Sequence, residues 1–343
     1  MRPQGEVVLA LFLPFASFSR VIRGLMKIFT ADQVERVLSR PDFLETLAST
    51  FRGNFTMPPR QVMPLVPEGG GREAFAMLPA WNDEVIALKA FTYFPENEAP
   101  DLTVYAQILL FDRKNGLPLA LVDGTSVTYR RTAGVSALAS RFLSRADAGE
   151  MLLINTGRLA PYLIDAHASV RPLKRIHIWG RDSEKAARLA EELGRDRSHL
   201  EITSVDEIEG GCATADLVVC ATNSPEPLVR GDWVRPGTHT DFMGNHHAGH
   251  RECDGALVEK ARVWVDSATN CLREAGEILI PLSEGKIERD HVLGDLAQLC
   301  RGEVRSREND DEITLFKSVG SALGDLAGAR AVWEARESLD PKS

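Results

Sequence analysis

The chain has 343 residues, with 40 Lys and Arg against 49 Asp and Glu for a formal net charge of −9. Its length supports two lobes with a sizeable core, and its acidic balance excludes a general nucleic-acid binder, which needs a basic face to displace counterions from phosphates. The cysteines, Cys212, Cys220, Cys253, Cys271 and Cys300, form no CxxC pair, which argues against a disulfide framework or a zinc knuckle and fits a reducing cytoplasm.

Residues 7–18, VVLALFLPFASF, form an apolar run of signal-peptide length that is too short to span a bilayer as a helix. The leader before it holds Glu6 and one arginine, and no small-x-small cleavage site precedes SRVIRG, so residues 1–25 read as an upstream extension. Met26 opens MKIFTADQVERVL, where Thr30 caps a helix with Val34, Val37 and Leu38 on one face. VIALKAFTYF (85–94), VYAQILLFD (104–112) and LPLALVD (117–123) have strand texture, with the turn RKNG between the last two. Residues 26–147 therefore read as an α+β lobe.

Near residue 150 the texture becomes an alternation. Strand MLLI (151–154) precedes helix LAPYLIDAHAS, strand RIHIW (175–179), helix SEKAARLAEELG and strand DLVVCAT (216–222). Parallel neighbours need crossover connections, so this order predicts a doubly wound α/β sheet of Rossmann type over residues 148–318.

The first strand-to-helix turn of that sheet is NTGRLA. In a GxGxxG/A turn the first glycine permits the tight bend, the second lets the backbone approach a pyrophosphate, and the last small residue allows close helix packing. Asn155, Gly157 and Ala160 take those places, with Thr156, Arg158 and Leu159 between them. Asparagine tolerates positive φ but adds bulk where phosphate approaches, so on this reading Asn155→Gly should tighten cofactor binding. A βα turn without a ligand is the other reading of this fragment alone. At the second strand an NAD site carries an acidic residue for the ribose hydroxyls, whereas RIHIWGRD offers Gly180 and then Arg181, which suits a 2′-phosphate. Asp182 is near enough to pair with that arginine instead.

Taken in order, DGTSVTYRRTAGVSALASRFL, INTGRLAPYLIDAH, IWGRD, ATNSPEPLV, PGTHTDFMG, REAGEI and FKSVGSALGDLA resemble the ornithine cyclodeaminase and mu-crystallin family over about Met26 to Ala329. The resemblance implies a Rossmann-type doubly wound parallel sheet inserted into an α+β substrate and dimerisation domain, to which residues 319–343 return, and a homodimer. It implies a nicotinamide cofactor held by Asn155, Thr156, Gly157, Arg158, Leu159, Ala160, Arg181, Thr222, Asn223 and Gly244, with NADPH favoured over NADH by Arg181. APYLIDAH, and THTDFMG followed by RECD, are most similar to the bacterial Δ1-pyrroline-2-carboxylate reductases, imine reductases of proline and hydroxyproline breakdown. The expected substrate is thus that cyclic imino acid, or its six-membered piperideine analogue, giving L-proline or L-pipecolate.

A cyclic α-imino acid carries a carboxylate beside a C=N bond, so its site needs fixed cations and a proton route to nitrogen while hydride reaches carbon. Lys89, in ALKAF, is either an edge lysine in solvent or aimed into a polar pocket; the resemblance places the substrate lysine in this motif. Arg131 in YRRTAG matches the family arginine before Thr-Ala, and Arg60 follows MPP in a loop.

Counted from Gly244, His246 stands where the cyclodeaminases carry an aspartate, so deamination loses its carboxylate. A histidine can donate a proton near neutral pH, which suits imine reduction, although a loop histidine without a role fits equally. His246, His247, His250 and Cys253 match no standard zinc spacing, and the family implies no metal. Ornithine cyclodeaminase and a non-catalytic NADP(H)-binding protein of mu-crystallin type are the alternatives.

Overall fold

The computed structural model describes residues 26–66, 72–98 and 100–339; the upstream extension read from residues 1–25 lies outside them. Six strands, β1 (Lys27–Phe29), β2 (Gln61–Pro64), β3 (Ala74–Trp81), β4 (Val85–Tyr93), β5 (Val104–Asp112) and β6 (Pro118–Asp123), make one sheet in the order β1-β6-β5-β4-β3-β2. β1 runs parallel to β6, and the other pairings are antiparallel. Period-two alternation sets its faces: Ala76, Leu78, Ala80, Val85 and Ala87 are buried inward, and Lys89 shares their face. The predicted helix after β1 spans Ala31–Leu38, closed by a capping box between Thr30 and Gln33, and it buries Val34, Val37 and Leu38.

Eight further strands, β7 (Glu150–Ile154), β8 (Arg175–Trp179), β9 (Glu201–Ser204), β10 (Leu217–Cys220), β11 (His239–Phe242), β12 (Arg262–Val265), β13 (Val292–Asp295) and β14 (Thr314–Lys317), form a second sheet in the order β13-β12-β14-β11-β10-β7-β8-β9. All its pairings are parallel. This is the Rossmann-type sheet that the alternation predicts. From β7 the chain winds outward through β8 and β9, then crosses back to β10 on β7's other side. The carboxyl ends of β7 and β10 therefore flank the switch point where open α/β sheets hold ligands.

The helix Gly124–Leu143 follows β6 directly, with the Asp123 carboxylate accepting the Ser126 N–H at 2.8 Å. Its start lies so close to β5 that a Cβ on Gly124 would sit 2.8 Å from the Ala106 carbonyl carbon. After β14 the helix Ala322–Glu334 returns to the first layer: Leu323, Leu326, Ala327 and Val332 share one core with Phe29, Leu47, Ile108 and Leu138. Two more cores cover the faces of the parallel sheet, one around Val218 and Val263, the other around Leu153 and Ile176. Among the described residues no helix is long and apolar enough to cross a membrane.

Candidate active site

Lys89 follows the inward face of β4, so its side chain enters the protein and is only 2% exposed. Its Nζ donates to Thr128 Oγ1 at 2.6 Å and to Asp325 Oδ1 at 3.2 Å. Thr128 and Arg131 are three apart on the helix Gly124–Leu143 and share a face. Arg131 Nε donates to the same Asp325 oxygen at 2.9 Å. Asp325 comes from the helix Ala322–Glu334 and is 1% exposed, with its other oxygen buried and lacking a protein partner. Burial drives the Lys89 pKa down to about 8, against the opposing pull of Asp325.

Arg60 reaches the same place from the loop before β2. Its Nη1 donates to Val319 O at 2.9 Å, while its Nε and Nη2 grip both carboxylate oxygens of Glu274. Gly320 has φ +90°, and a Cβ there would lie 3.5 Å from both terminal nitrogens of Arg131 and 3.9 Å from Arg60 Nη1. Both guanidinium groups thus face one stretch of backbone, held from behind by Asp266: its Oδ2 accepts from Ser318 Oγ at 2.7 Å, Val319 N at 3.2 Å and Gly320 N at 2.8 Å. The neighbouring Arg130 is turned away, paired with Glu35 at 2.7 Å and lying over the Tyr162 ring. Lys89 and Arg131 share the single charge of Asp325, and Glu274 offsets Arg60, so this cluster holds one uncompensated positive charge.

The turn after β7 departs from expectation. No non-glycine among the described residues has positive φ, so Asn155 does not mimic the missing glycine's backbone. It builds the turn with its side chain instead: Oδ1 accepts the Gly157 N–H at 2.8 Å and Nδ2 donates to Ala221 O beyond β10. Thr156 packs against Gly180 at the end of β8, where a Cβ would lie within 2.4 Å of its methyl group. Asp182 spends its carboxylate capping the helix Ser183–Asp196, accepting from Lys185 N at 2.9 Å, and Arg181 is exposed beside it.

Thr222 and Asn223 follow β10, and Gly244 follows β11, so these positions and the turn 155–160 line the carboxyl ends of neighbouring strands. Glu252 ties the first two loops together. Its Oε1 accepts from Thr222 N at 2.6 Å and Thr222 Oγ1 at 2.9 Å, and its Oε2 accepts from Gly244 N at 2.7 Å. A Cβ on Gly244 would stand 1.9 Å from Thr222 O, so only glycine permits this approach. Glu277 in turn accepts the Glu252 N–H at 3.0 Å and pairs with Lys317 at 2.9 Å. Asp325, Glu252, Glu277 and Asp266 all escape the sequence reading; the available signal is an acidic residue within an otherwise apolar or motif segment, as in GDLAGA, REC and REAGEI.

His246 is exposed on the loop after β11, edge-on to Tyr93 at 6.3 Å and stacked on His247 at 4.6 Å. Surrounding protein, then Arg60 and His247, push its pKa down to about 4. That direction favours the uncharged imidazole near neutrality. The His247 and His250 rings lie 5.1 Å apart, tilted at 58° to each other. A third buried set joins Asp241, Ser136 and His167, with Ser136 Oγ donating to Asp241 and lying 2.8 Å from His167 Nε2. The hydroxyl stands between acid and imidazole, so the acid does not orient the histidine as a hydrolase triad requires. Burial raises Asp241 to about 7 and lowers His167 to about 3, so near neutral pH the imidazole is uncharged and the carboxyl is partly protonated, and the set is a polar link between the helix Gly124–Leu143 and β11.

The model of the ornithine cyclodeaminase/mu-crystallin family matches residues 27–339. The Δ1-pyrroline-2-carboxylate reductase of Colwellia psychrerythraea is 46% identical over 312 residues, covering 90% of this chain and 99% of that protein. Among solved structures, the Thermococcus litoralis Δ1-pyrroline-2-carboxylate reductase in complex with NADH and L-proline has a TM-score of 0.86 at 32% identity, covering 91% of this chain and 98% of its own. The iminosuccinate reductase of Paracoccus denitrificans with NAD+ has a TM-score of 0.76 at 28% identity, covering 93% and 95%. With its sequence motifs in order and the matching fold beneath them, the chain belongs to the ornithine cyclodeaminase/mu-crystallin family.

Proposed function

We propose that this protein reduces Δ1-pyrroline-2-carboxylate, and the six-membered piperideine analogue, to L-proline and L-pipecolate with NADPH. The observation that carries the reading is the meeting of Lys89, Arg131 and Asp325 in a buried cluster with one positive charge to spare. A single carboxylate completes that balance, and the likeness to reductases of the same imino acid supports its identity.

Lys89 and Arg131 hold the carboxylate, with the remaining N–H groups of Arg60 beside them. A reduced nicotinamide held by the turn 155–160 and the loops after β10 and β11 would supply the hydride that the imine carbon receives. Lys89, with a pKa near 8, is the acid of the cluster best matched to neutral pH, and its ammonium supplies the proton to nitrogen. The unpartnered oxygen of Asp325 accepts the N–H that forms.

On the cofactor side, the turn 155–160 with Thr222, Asn223 and Gly244 forms the nucleotide edge, and Arg181 meets a 2′-phosphate because Asp182 is committed to its helix cap. The close approaches of Gly180 to the Thr156 side chain and of Gly244 to the Thr222 backbone hold these loops against one another along that edge. Residues 26–147 and 319–343 serve as the substrate and dimerisation unit, and 148–318 as the nucleotide unit. The outer face of the first sheet carries Phe75, Met77, Trp81, Ile86, Leu88, Leu109, Phe111 and Leu121, none fully buried, which supports a homodimer joined through this face. All five cysteines are free and buried, in keeping with a cytoplasmic location.

The test is NADPH oxidation with the cyclic imino acids made enzymatically in situ, the product resolved by chiral chromatography. L-Proline formation supports the reading. Nucleotide binding without turnover would make this a binding protein, and ammonia release from ornithine would make it a cyclodeaminase.

A further inference from the structure

Glu274 lies in REAGEI, a motif that neither the substrate cations nor the nucleotide edge absorbs. It sits at the end of the helix Ala268–Glu274, with its side chain 28% exposed, and faces the Arg60 guanidinium, whose own side chain is 9% exposed. Both of its oxygens are engaged by Arg60, at Nε (3.1 Å) and at Nη2. This is the paired, planar geometry in which a carboxylate most fully occupies an arginine. Arg60 therefore adds hydrogen-bond donors to the cluster without adding net charge. Glu274 also lies near His247, whose pKa its surroundings lower while the Glu274 charge opposes the shift.

We propose that Glu274 is a specificity-determining residue that restricts the site to α-imino monocarboxylates by cancelling the charge of Arg60. This rests on the assignment of the cluster to an imino acid. A substrate with one carboxylate matches the single free charge left by Lys89, Arg131 and Asp325. A second carboxylate finds no uncompensated cation and meets the Glu274 charge instead; in a site of reduced dielectric that repulsion costs more than in water. An α-imino dicarboxylate is accordingly rejected by charge rather than by size. The relative named as an iminosuccinate reductase shares the fold, so the scaffold itself sets no bar to a dicarboxylate.

The test compares Glu274→Gln with the wild type. The carboxamide keeps the size and one acceptor but removes the charge, and partial exposure makes the exchange tolerable for folding. We expect kcat/KM for iminosuccinate, formed from oxaloacetate and ammonia, to rise at least about tenfold relative to Δ1-pyrroline-2-carboxylate, and Glu274→Asp, which retains the charge, to keep the wild-type preference. A Glu274→Gln ratio within about twofold of wild type would overturn the proposal.

A binding measurement separates this proposal from the reductase reading. Pyrrole-2-carboxylate and pyrrole-2,5-dicarboxylate, neither of which can be reduced as an imine, are titrated into both proteins by calorimetry. If no imine is turned over but Glu274→Gln moves preference toward the dicarboxylate, the charge rule stands and the reductase reading fails. If neither probe binds either protein, or the preference does not move, the charge rule fails.

Discussion

Lys89 Nζ and Asp325 Oδ1 meet at 3.2 Å across 236 residues of sequence, the lysine on a strand near the start of the first layer and the aspartate on the helix that closes it. The same oxygen holds Arg131. Asp325→Asn leaves two buried cations facing each other with no anion between them. Such a loss costs about 3–5 kcal/mol, to be read in denaturant unfolding. The Lys89 pKa should also fall further, moving the alkaline limit of activity to lower pH. Unchanged stability and an unchanged pH profile would show that the carboxylate does not organise the cations.

The pH dependence follows from Lys89. Its folded pKa is about 8, below the ordinary 10.5. Carboxylate binding and proton supply both need the ammonium, so kcat/KM should fall as pH rises through about 8, and Lys89→Met should be low and lack that limb. Stability has the opposite sign. Between about 8 and 10.5 the unfolded chain binds a proton that the folded chain has released, so this group's contribution favours folding more as pH rises through that window. An alkaline limb that survives Lys89→Met would assign it to another group.

The prediction for Asn155 is the reverse of the one its sequence position suggests. Asn155→Gly removes both side-chain hydrogen bonds of the turn, the one that accepts the Gly157 N–H and the one that joins the turn to Ala221. The loss amounts to roughly 1–3 kcal/mol, and glycine adds unfolded-state freedom. Thermal unfolding should shift down and NADPH should bind more weakly. Tighter binding by the glycine variant would restore the steric account.

Arg181→Ala should weaken NADPH by roughly tenfold to a hundredfold, the range of a charge-assisted hydrogen bond, with little effect on NADH. Fluorescence titration of both nucleotides measures this directly. Equal weakening of the two would assign the 2′-phosphate to another cation.

Glu252→Gln places an amide N–H donor among the donors Thr222 N, Thr222 Oγ1 and Gly244 N. The two loops should separate, weakening NADPH in the folded enzyme while KM for the imino acid changes less. An unchanged nucleotide Kd in the folded variant would limit Glu252 to stability.

Much of the parallel sheet was legible because its strands are short apolar runs bounded by amphipathic helices; RIHIW is strand β8 residue for residue. β3 was not, because Pro79 interrupts AFAMLPAW. Trp81 N–H and C=O both bond to Thr56, so residue 79 turns its nitrogen the same way, past the end of the four-residue β2, where proline breaks no ladder. The charge of Lys89 within apolar alternation is locally visible, but its local pattern left it open between solvent and a polar pocket; the family resemblance favoured the pocket and singled out Arg131 from its neighbour Arg130. Asp325, Glu252 and Glu274 acquire meaning only through partners more than two hundred, about thirty and more than two hundred positions away respectively. The direction of the His246 shift was likewise invisible, since Arg60 and the packing around the ring come from distant segments.

Hydride transfer to the imine carbon is tested most directly with NADPH deuterated at the transferring position of the nicotinamide. The enzyme is supplied with Δ1-pyrroline-2-carboxylate, and the product is read by mass spectrometry and NMR. The account predicts L-proline carrying one deuterium at its α-carbon and an equimolar amount of oxidised cofactor. Proline without deuterium, or cofactor left reduced while the imino acid persists, would contradict it.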